Sequence, residues 1–215
     1  MLIDTHLHES KYSLDSNISL REIIVRAKEI GLDGVCITDH ESNDIAEEAG
    51  RLAKEMNFPI FVGAEILTFE GDMTVFGVTD LPKRILSAQE LLDYVISRNG
   101  IAICSHPYRE NGRSMGDVMK GLINPIGIEA FNGSTPEELN MKAYQVALDM
   151  NLPALGGSDA HDREQVGKFA TLFPKGTRTM CDFIAAIKAN EVFPAFYDKG
   201  HYHVVYGVDQ VSQAM

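Results

Sequence analysis

The chain has no tryptophan, three cysteines among 215 residues, and no apolar run near the ~20 residues that cross a bilayer. Cys36, Cys104 and Cys181 are widely spaced and form no CxxC pair. That excludes a cysteine-based zinc module and a disulfide scaffold. Cys36 and Cys104 lie in apolar runs and read as buried thiols of a reducing compartment. His106, two residues after Cys104, raises the alternative of a nucleophilic thiol, which those apolar surroundings disfavour. Basic residues are scarce, 19 against 31 acidic ones, for a net charge of −12, and no Lys/Arg-rich run exists. A long nucleic acid is therefore a disfavoured partner, since it needs clustered cations to replace its counterions. A small phosphorylated substrate stays open, because bound cations would offset the carboxylates locally. No glycine-rich phosphate loop follows a strand-like run, which argues against dinucleotide and P-loop folds. The absence of GxSxG argues against a Ser-His-Asp hydrolase. No basic-then-apolar leader, linker, repeat or low-complexity segment is visible. The expectation is one domain over 1–215, cytoplasmic, with no membrane partner.

What is present is an alternation of strand-like and helix-like patterns. Buried strands are expected at 2–8, 34–40, 59–67, 101–107, 126–131, 152–155, 169–173 and 192–197, with 73–78 returning as a hairpin partner. Between them lie helical spacings. Ser19 with Glu22 forms a capping box before Leu20, Ile23, Ile24, Ala27 and Ile30. Further helices are expected at 43–56, 87–98, from Thr135 as N-cap with Pro136 at the first helical position to about 151, and at 180–189. Residues 108–124 read as a loop over one end, with a short helix. Alternation of this kind implies a mainly parallel sheet. Seven or so strand–helix units in this length favour a barrel over an open sheet.

The polar residues gather at strand ends. Leu2-Ile3-Asp4-Thr5-His6-Leu7-His8 places two imidazoles two residues apart, on one side of a strand. Asp4 falls on the same side by that alternation and is expected to orient a histidine from behind. The next strands end in Asp39-His40, Glu65, His106, Glu129, and Asp159 with His161. Five of the seven histidines of the chain fall at these ends. In a parallel barrel every C-terminal strand end lies on one face, so these residues would converge. Imidazole with carboxylate suits zinc, manganese or iron. His201 and His203 repeat the HxH spacing near the C-terminus and read as part of a surface strand, with a tail folded over the site as the alternative.

Asp4-Thr5-His6-Leu7-His8, Thr38-Asp39-His40, Gly63-Ala64-Glu65, Ser105-His106-Pro107 and Gly157-Ser158-Asp159-Ala160-His161 together resemble the polymerase and histidinol phosphatase (PHP) superfamily, in its order and over nearly the whole chain. The resemblance implies a distorted (β/α)7 barrel, two or three divalent ions, and hydrolysis of phosphate esters. By the same resemblance, His6, His8, Glu65 and Asp159 would hold one ion. Glu65 would bridge to a second held by His106. His40 and His161 would hold a third, helped by Asp15 or, given a longer loop than the family's usual one, Glu9. Two histidines common in related phosphoesterases are missing. Thr74-Val75-Phe76-Gly77 stands where one is expected, and Asn132-Gly133-Ser134-Thr135 where another is. The second ion site is thus short of ligands, and Glu129 is either a helper there or a support of its strand end.

The reaction expected is divalent-metal-dependent hydrolysis of a small phosphorylated metabolite or nucleotide by a metal-bound hydroxide near Glu65. His161 or His40, where not fully committed to metal, would protonate the leaving oxygen. Arg109 and Arg113 would clamp phosphate, since guanidinium forks match its oxygens, with Lys168 a weaker candidate. The competing expectations are a non-catalytic metal-binding regulatory module, an exonuclease on short nucleic acid, and a protein-tyrosine phosphatase.

Overall fold

The local signals in the sequence become the frame of the molecule. A computed structural model of the chain describes residues 1–207; residues 208–215 of the expected 1–215 unit lie outside the described residues. Strand β1 (Leu2–Asp4) leads through a polar loop to helix α1 (Leu20–Glu29). Ser19 and Glu22 cap that helix reciprocally, and Leu20, Ile23, Ile24 and Ala27 bury its inner stripe. Then follow β2 (Gly34–Ile37), α2 (Ala46–Glu55), β3 (Ile60–Leu67), β4 (Asp72–Phe76), α3 (Ala88–Ile96) and β5 (Ile101–Cys104). A second capping box, Ser87 with Glu90, starts α3. A single 3-10 helix, Gly116–Gly121, interrupts the loop before β6 (Gly127–Asn132). Helix α4 (Glu137–Asp149) begins one residue later than the Thr135 cap predicts. The Thr135 hydroxyl instead donates to Asn132 Oδ1 at 3.1 Å, which leaves Pro136 at the cap. The chain ends its described part with β7 (Ala154–Gly157), β8 (Phe169–Leu172), α5 (Met180–Lys188), β9 (Phe193–Asp198) and β10 (His201–Val204).

The ten strands form one curled sheet in the order β10-β9-β8-β1-β2-β3-β4-β5-β6-β7. Pairings β1–β2, β2–β3, β5–β6 and β6–β7 are parallel, while β4 and β8 to β10 pair antiparallel, so the sheet is mixed rather than mainly parallel. The β3–β4 and β9–β10 pairs are hairpins, while α5 joins β8 to its antiparallel neighbour β9. Beyond their strands, the extensions of β1 and β7 meet at a parallel Leu7–Ala160 bridge, where His8 N–H donates to Ala160 O at 3.1 Å. Strands β1 to β7 thus close into a ring at their C-terminal ends. The antiparallel β8 wedges the other ends apart, giving a distorted β/α barrel. Among the described residues no helix is long and apolar enough to cross a membrane.

The barrel interior is apolar below and polar above. On β3, Phe61 and Glu65 share a face; on β4, so do Phe76 and Asp72. Phe183 of α5 packs on Phe61, Phe76 and Phe173 with ring centroids 4.8–4.9 Å apart and plugs the lower end. The carboxylates and imidazoles stand on this floor. His203 stacks on Phe196 at 5.1 Å, and β10 pairs with β9, so the second HxH forms a surface strand and stays away from the polar mouth.

Candidate metal centre

Every histidine expected at a strand end is brought to the mouth of the barrel. His6 Nε2 and His8 Nε2 face each other at 3.1 Å. Asp159 Oδ1 lies 3.3 Å from His8 Nε2 and 3.6 Å from His6 Nε2. Glu65 is the hub: its Oε1 is 2.9 Å from His106 Nε2 and 3.4 Å from His6 Nε2, and its Oε2 is 3.1 Å from His40 Nδ1 and 3.6 Å from His8 Nε2. At the outer edge Asp15 Oδ2 reaches His40 Nε2 at 3.2 Å and His161 Nε2 at 3.3 Å. Glu9, the alternative to Asp15, turns away: its carboxylate accepts the backbone N–H groups of Lys11 and Tyr12.

Three sets of donor atoms are tight enough to hold an ion: His6, His8 and Asp159; His8, His40 and His161; and Glu65, Asp72 and His106. The grouping differs from the expected one, since His8 stands between two sets and the set around His106 gains Asp72. The sequence leaves Asp72 just outside the expected return strand at 73–78. It is instead the first residue of β4, fully buried, on the strand that returns beside Glu65. Thr74, where a histidine is expected, sits directly across from Glu65. The usable signal was an acidic residue opening the return strand of a hairpin whose other arm carries a ligand.

The donor chemistry fits divalent ions. Ser13 Oγ donates its one proton to Asp39 Oδ1 at 2.8 Å and accepts from the His40 N–H. Its contact with His8 Nδ1 at 3.3 Å must then be a donation from the ring, so His8 Nε2 points a lone pair into the mouth. Behind His6, Glu129 Oε1 lies 2.9 Å from Nδ1, which turns His6 Nε2 the same way. His161 Nδ1 donates to the Asp159 carbonyl at 3.0 Å, with the same result. Three imidazole lone pairs and two carboxylates aimed at one space repel one another unless a cation lies among them. His106 Nδ1 is moreover buried with no hydrogen-bond partner.

Electrostatics follow this packing. Burial lowers the His6 pKa, but without a metal the carboxylates of Glu129, Asp159 and Glu65 outweigh it and raise the ring well above the usual imidazole value. Burial raises the Glu65 pKa, but the His6 charge, with hydrogen bonds from His106 and His40, outweighs it and holds the carboxyl well below the usual carboxylate range. The same contest, with His6 and His8 winning, keeps Asp159 ionised. Burial pushes His8 down to about 4, which keeps it neutral as a ligand must be. Two ligands have left-handed backbone: Asp159 at φ 52° and His106, just before Pro107, at φ 28°. Such strain concentrates where a side chain must be aimed. Burial raises the Cys104 thiol to about 12, which removes it as a nucleophile.

Asp4 corrects the sequence reading. Strand β1 stops at Asp4, and the alternation breaks before His6. Ile3 packs with Phe61 in the apolar floor, while Asp4 points the other way. Its carboxylate touches no imidazole. It accepts His6 N at 3.3 Å, Ser158 N at 2.9 Å, Ser158 Oγ at 2.5 Å and Gly167 N at 2.9 Å. The residue that does sit behind a histidine ring is Glu129, and it lies away from the set around His106 as a donor.

Arg109 and Arg113 reach the mouth by different routes. Arg109 Nη1 donates to Asp159 Oδ2, and its Nη2 is 3.0 Å from His106 Nε2. Arg113 grips Asp72 with Nε at 2.7 Å and Nη2 at 3.0 Å, so its fork already faces a carboxylate. Lys168 donates to Gly133 O at 2.6 Å. Asp15, His40, Glu65, Arg109, Asn111, Arg113, Asp159 and His161 line an open pocket of about 700 Å³.

The comparisons with known proteins agree with this architecture. The family model described as the PHP domain matches residues 4–126, and one described as PHP-associated matches 137–192. An uncharacterised protein of Methanocaldococcus jannaschii is 34% identical over 143 residues, spanning 61% of this chain and 82% of that protein. Among solved structures, PsfC of Pseudomonas syringae superimposes with TM-score 0.67 at 22% identity, covering 93% of this chain and 92% of the other. An amidohydrolase of Chromobacterium violaceum with bound sulfate and no metal gives 0.66 at 17%, covering 86% and 96%. A Bifidobacterium adolescentis protein named for metal-dependent phosphoesterase activity gives 0.64 at 18%, covering 75% and 88%. With its first motif strand, the strand ends that carry His40, Glu65 and His106, and more than half its length matched by the PHP domain model, the chain belongs to the PHP domain family.

Proposed function

We propose that this protein is a divalent-metal-dependent phosphoesterase acting on a small phosphorylated substrate. The observation that carries the reading is the shared pocket: imidazole and carboxylate donors line its floor, and two guanidinium groups line its wall. His6, His8 and Asp159 would hold one ion, His40 and His161 with His8 beside them another, and Glu65, Asp72 and His106 a further one, with Asp15 and Glu65 completing the outer and inner shells and zinc, manganese or iron matching the donors. Ions bound there supply Lewis acidity, which acidifies water and offsets charge on phosphoryl oxygens.

The chain's own groups do the rest. Glu65, ionised and central, is placed to orient the attacking water. His40 and His161 stand at the rim, each about a quarter exposed, where whichever ring is not committed to an ion can deliver a proton to the leaving oxygen. Arg109 presents a guanidinium to the same space, which suits a phosphate oxygen. Replacing Arg109 with Ala is expected to lower kcat/KM by roughly ten- to a hundredfold, mostly through KM, as loss of a charge-assisted hydrogen bond of about 1.5–3 kcal/mol would. Steady-state kinetics with unchanged metal content is the check.

The reading itself is tested by metal analysis of purified protein, joined to turnover of an aryl phosphate monoester and diester with added manganese. Turnover that a chelator abolishes and manganese restores is expected. Metal held at these ligands with no turnover of either ester would leave a non-catalytic metal-binding module. Processive degradation of oligonucleotides in preference to small esters would favour the exonuclease.

A further inference from the structure

Glu129 is 3% exposed and belongs to no donor set, yet its two oxygens reach two of the ligands. Its Oε1 faces His6 Nδ1 at 2.9 Å. Its Oε2 accepts the His106 N–H at 2.8 Å and Asn132 Nδ2 at 3.1 Å. Asn132 Nδ2 also reaches Asp159 Oδ2 at 3.2 Å. One carboxylate on β6 thereby links ligands carried by the extension of β1, the end of β5 and the end of β7. Gly157 makes room for it: a Cβ there would stand 2.5 Å from His6 Cβ and 2.7 Å from Glu129 Oε1. The last residue of β6, Asn132, joins this linkage where no histidine stands.

We propose that Glu129 is a positioning residue that fixes the tautomer of His6 and pins the strained His106 turn, and so sets the affinity of the ion site built on His6. This rests on the metal-centre reading above. A carboxylate only accepts, so the His6 proton is held on Nδ1 and the Nε2 lone pair faces the mouth. Glutamine in its place has one acceptor oxygen where three donors converge, the His6 ring N–H, the His106 N–H and the Asn132 amide. The His106 N–H is a backbone group and cannot become an acceptor, so the amide oxygen must go to it. The amide N–H then faces His6 Nδ1, which has to accept, and the ring proton moves to Nε2. A ring protonated at Nε2 cannot ligate there. An isosteric change buried behind the site therefore switches off one ligand without removing it.

The test uses the full chain, wild type, Glu129→Gln, His6→Ala and the double variant, titrated with Zn²⁺ against a chromogenic chelator. Glu129→Gln is expected to weaken the affected zinc by ~10–100-fold, as loss of an outer partner does. In the His6→Ala background the same change is expected to cost nothing further, which a general loss of stability would not produce. Long-range ¹⁵N–¹H correlation of the histidines supplies a second readout. Wild-type His6 should carry its proton on Nδ1 and bind zinc through Nε2. Equal zinc affinity of wild type and Glu129→Gln, additive costs in the cycle, or His6 binding through Nδ1 would each overturn the proposal. If Glu129→Gln does not fold, the wild-type His6 pattern alone decides. Should the wild type bind no zinc, the metal-centre reading fails, while the His6 tautomer in metal-free protein, read at a pH high enough for the ring to be neutral, still decides the role of Glu129.

Discussion

Glu65→Gln is expected to lower kcat/KM for an aryl phosphate at least about a thousandfold, equivalent to roughly 4 kcal/mol of transition-state stabilisation. Both Glu65 oxygens are engaged, Oε1 with His106 and His6, and Oε2 with His40 and His8. No other side chain contacts so many of the imidazoles among the described residues. An amide keeps the volume but removes the charge and offers one acceptor, so an N–H group is turned on two of the four rings. The fold should survive, because the floor beneath is built from Phe61, Phe76, Phe173 and Phe183 and does not depend on the charge. Kinetics, metal content and thermal melting measured together separate the cases. Rates that persist with bound metal would mean that the reacting water is placed elsewhere, and the centre would have to be redrawn around Asp159.

What the sequence disclosed about this site was the set of residues, and what it hid was their facing. Strand ends are legible because buried strands are short apolar runs, and a histidine or carboxylate closing such a run stands out. Capping boxes at Ser19 and Ser87 are legible because their chemistry is local. Asp4 was misplaced because alternation holds only within a strand, and β1 ends before His6. Asp72 and Arg113 escaped as a pair because their meeting depends on the hairpin register and on where the 108–124 loop lands. The same holds for Glu129: nothing in a linear string shows that the end of β6 sits behind the extension of β1. The mixed sheet was partly visible, in the hairpin at 73–78, but the wedge of β8 between β1 and β7 is a matter of tertiary closure.

That closure is where the second large effect is expected. Asp4→Ala should destabilise the protein by about 3–5 kcal/mol, seen as a lowered urea midpoint at unchanged slope. The carboxylate is fully buried and accepts from three backbone N–H groups, of His6, Ser158 and Gly167, and from the Ser158 hydroxyl. Burial raises its pKa to about 7 against those four bonds, a measure of how dry the place is. Each stranded buried donor costs roughly 1–3 kcal/mol, and the sum is blunted by relaxation. Alanine also leaves a gap where the β1 extension, the Ser158 turn and the Gly167 turn meet. Since His6 and Asp159 hang from those same segments, metal affinity should fall along with stability, although Asp4 touches neither side chain. Asp4→Asn keeps one acceptor and should lose less than alanine does. A loss below about 1 kcal/mol for Asp4→Ala would mean that water replaces the carboxylate, and that the three segments are held together by the Leu7–Ala160 bridge instead.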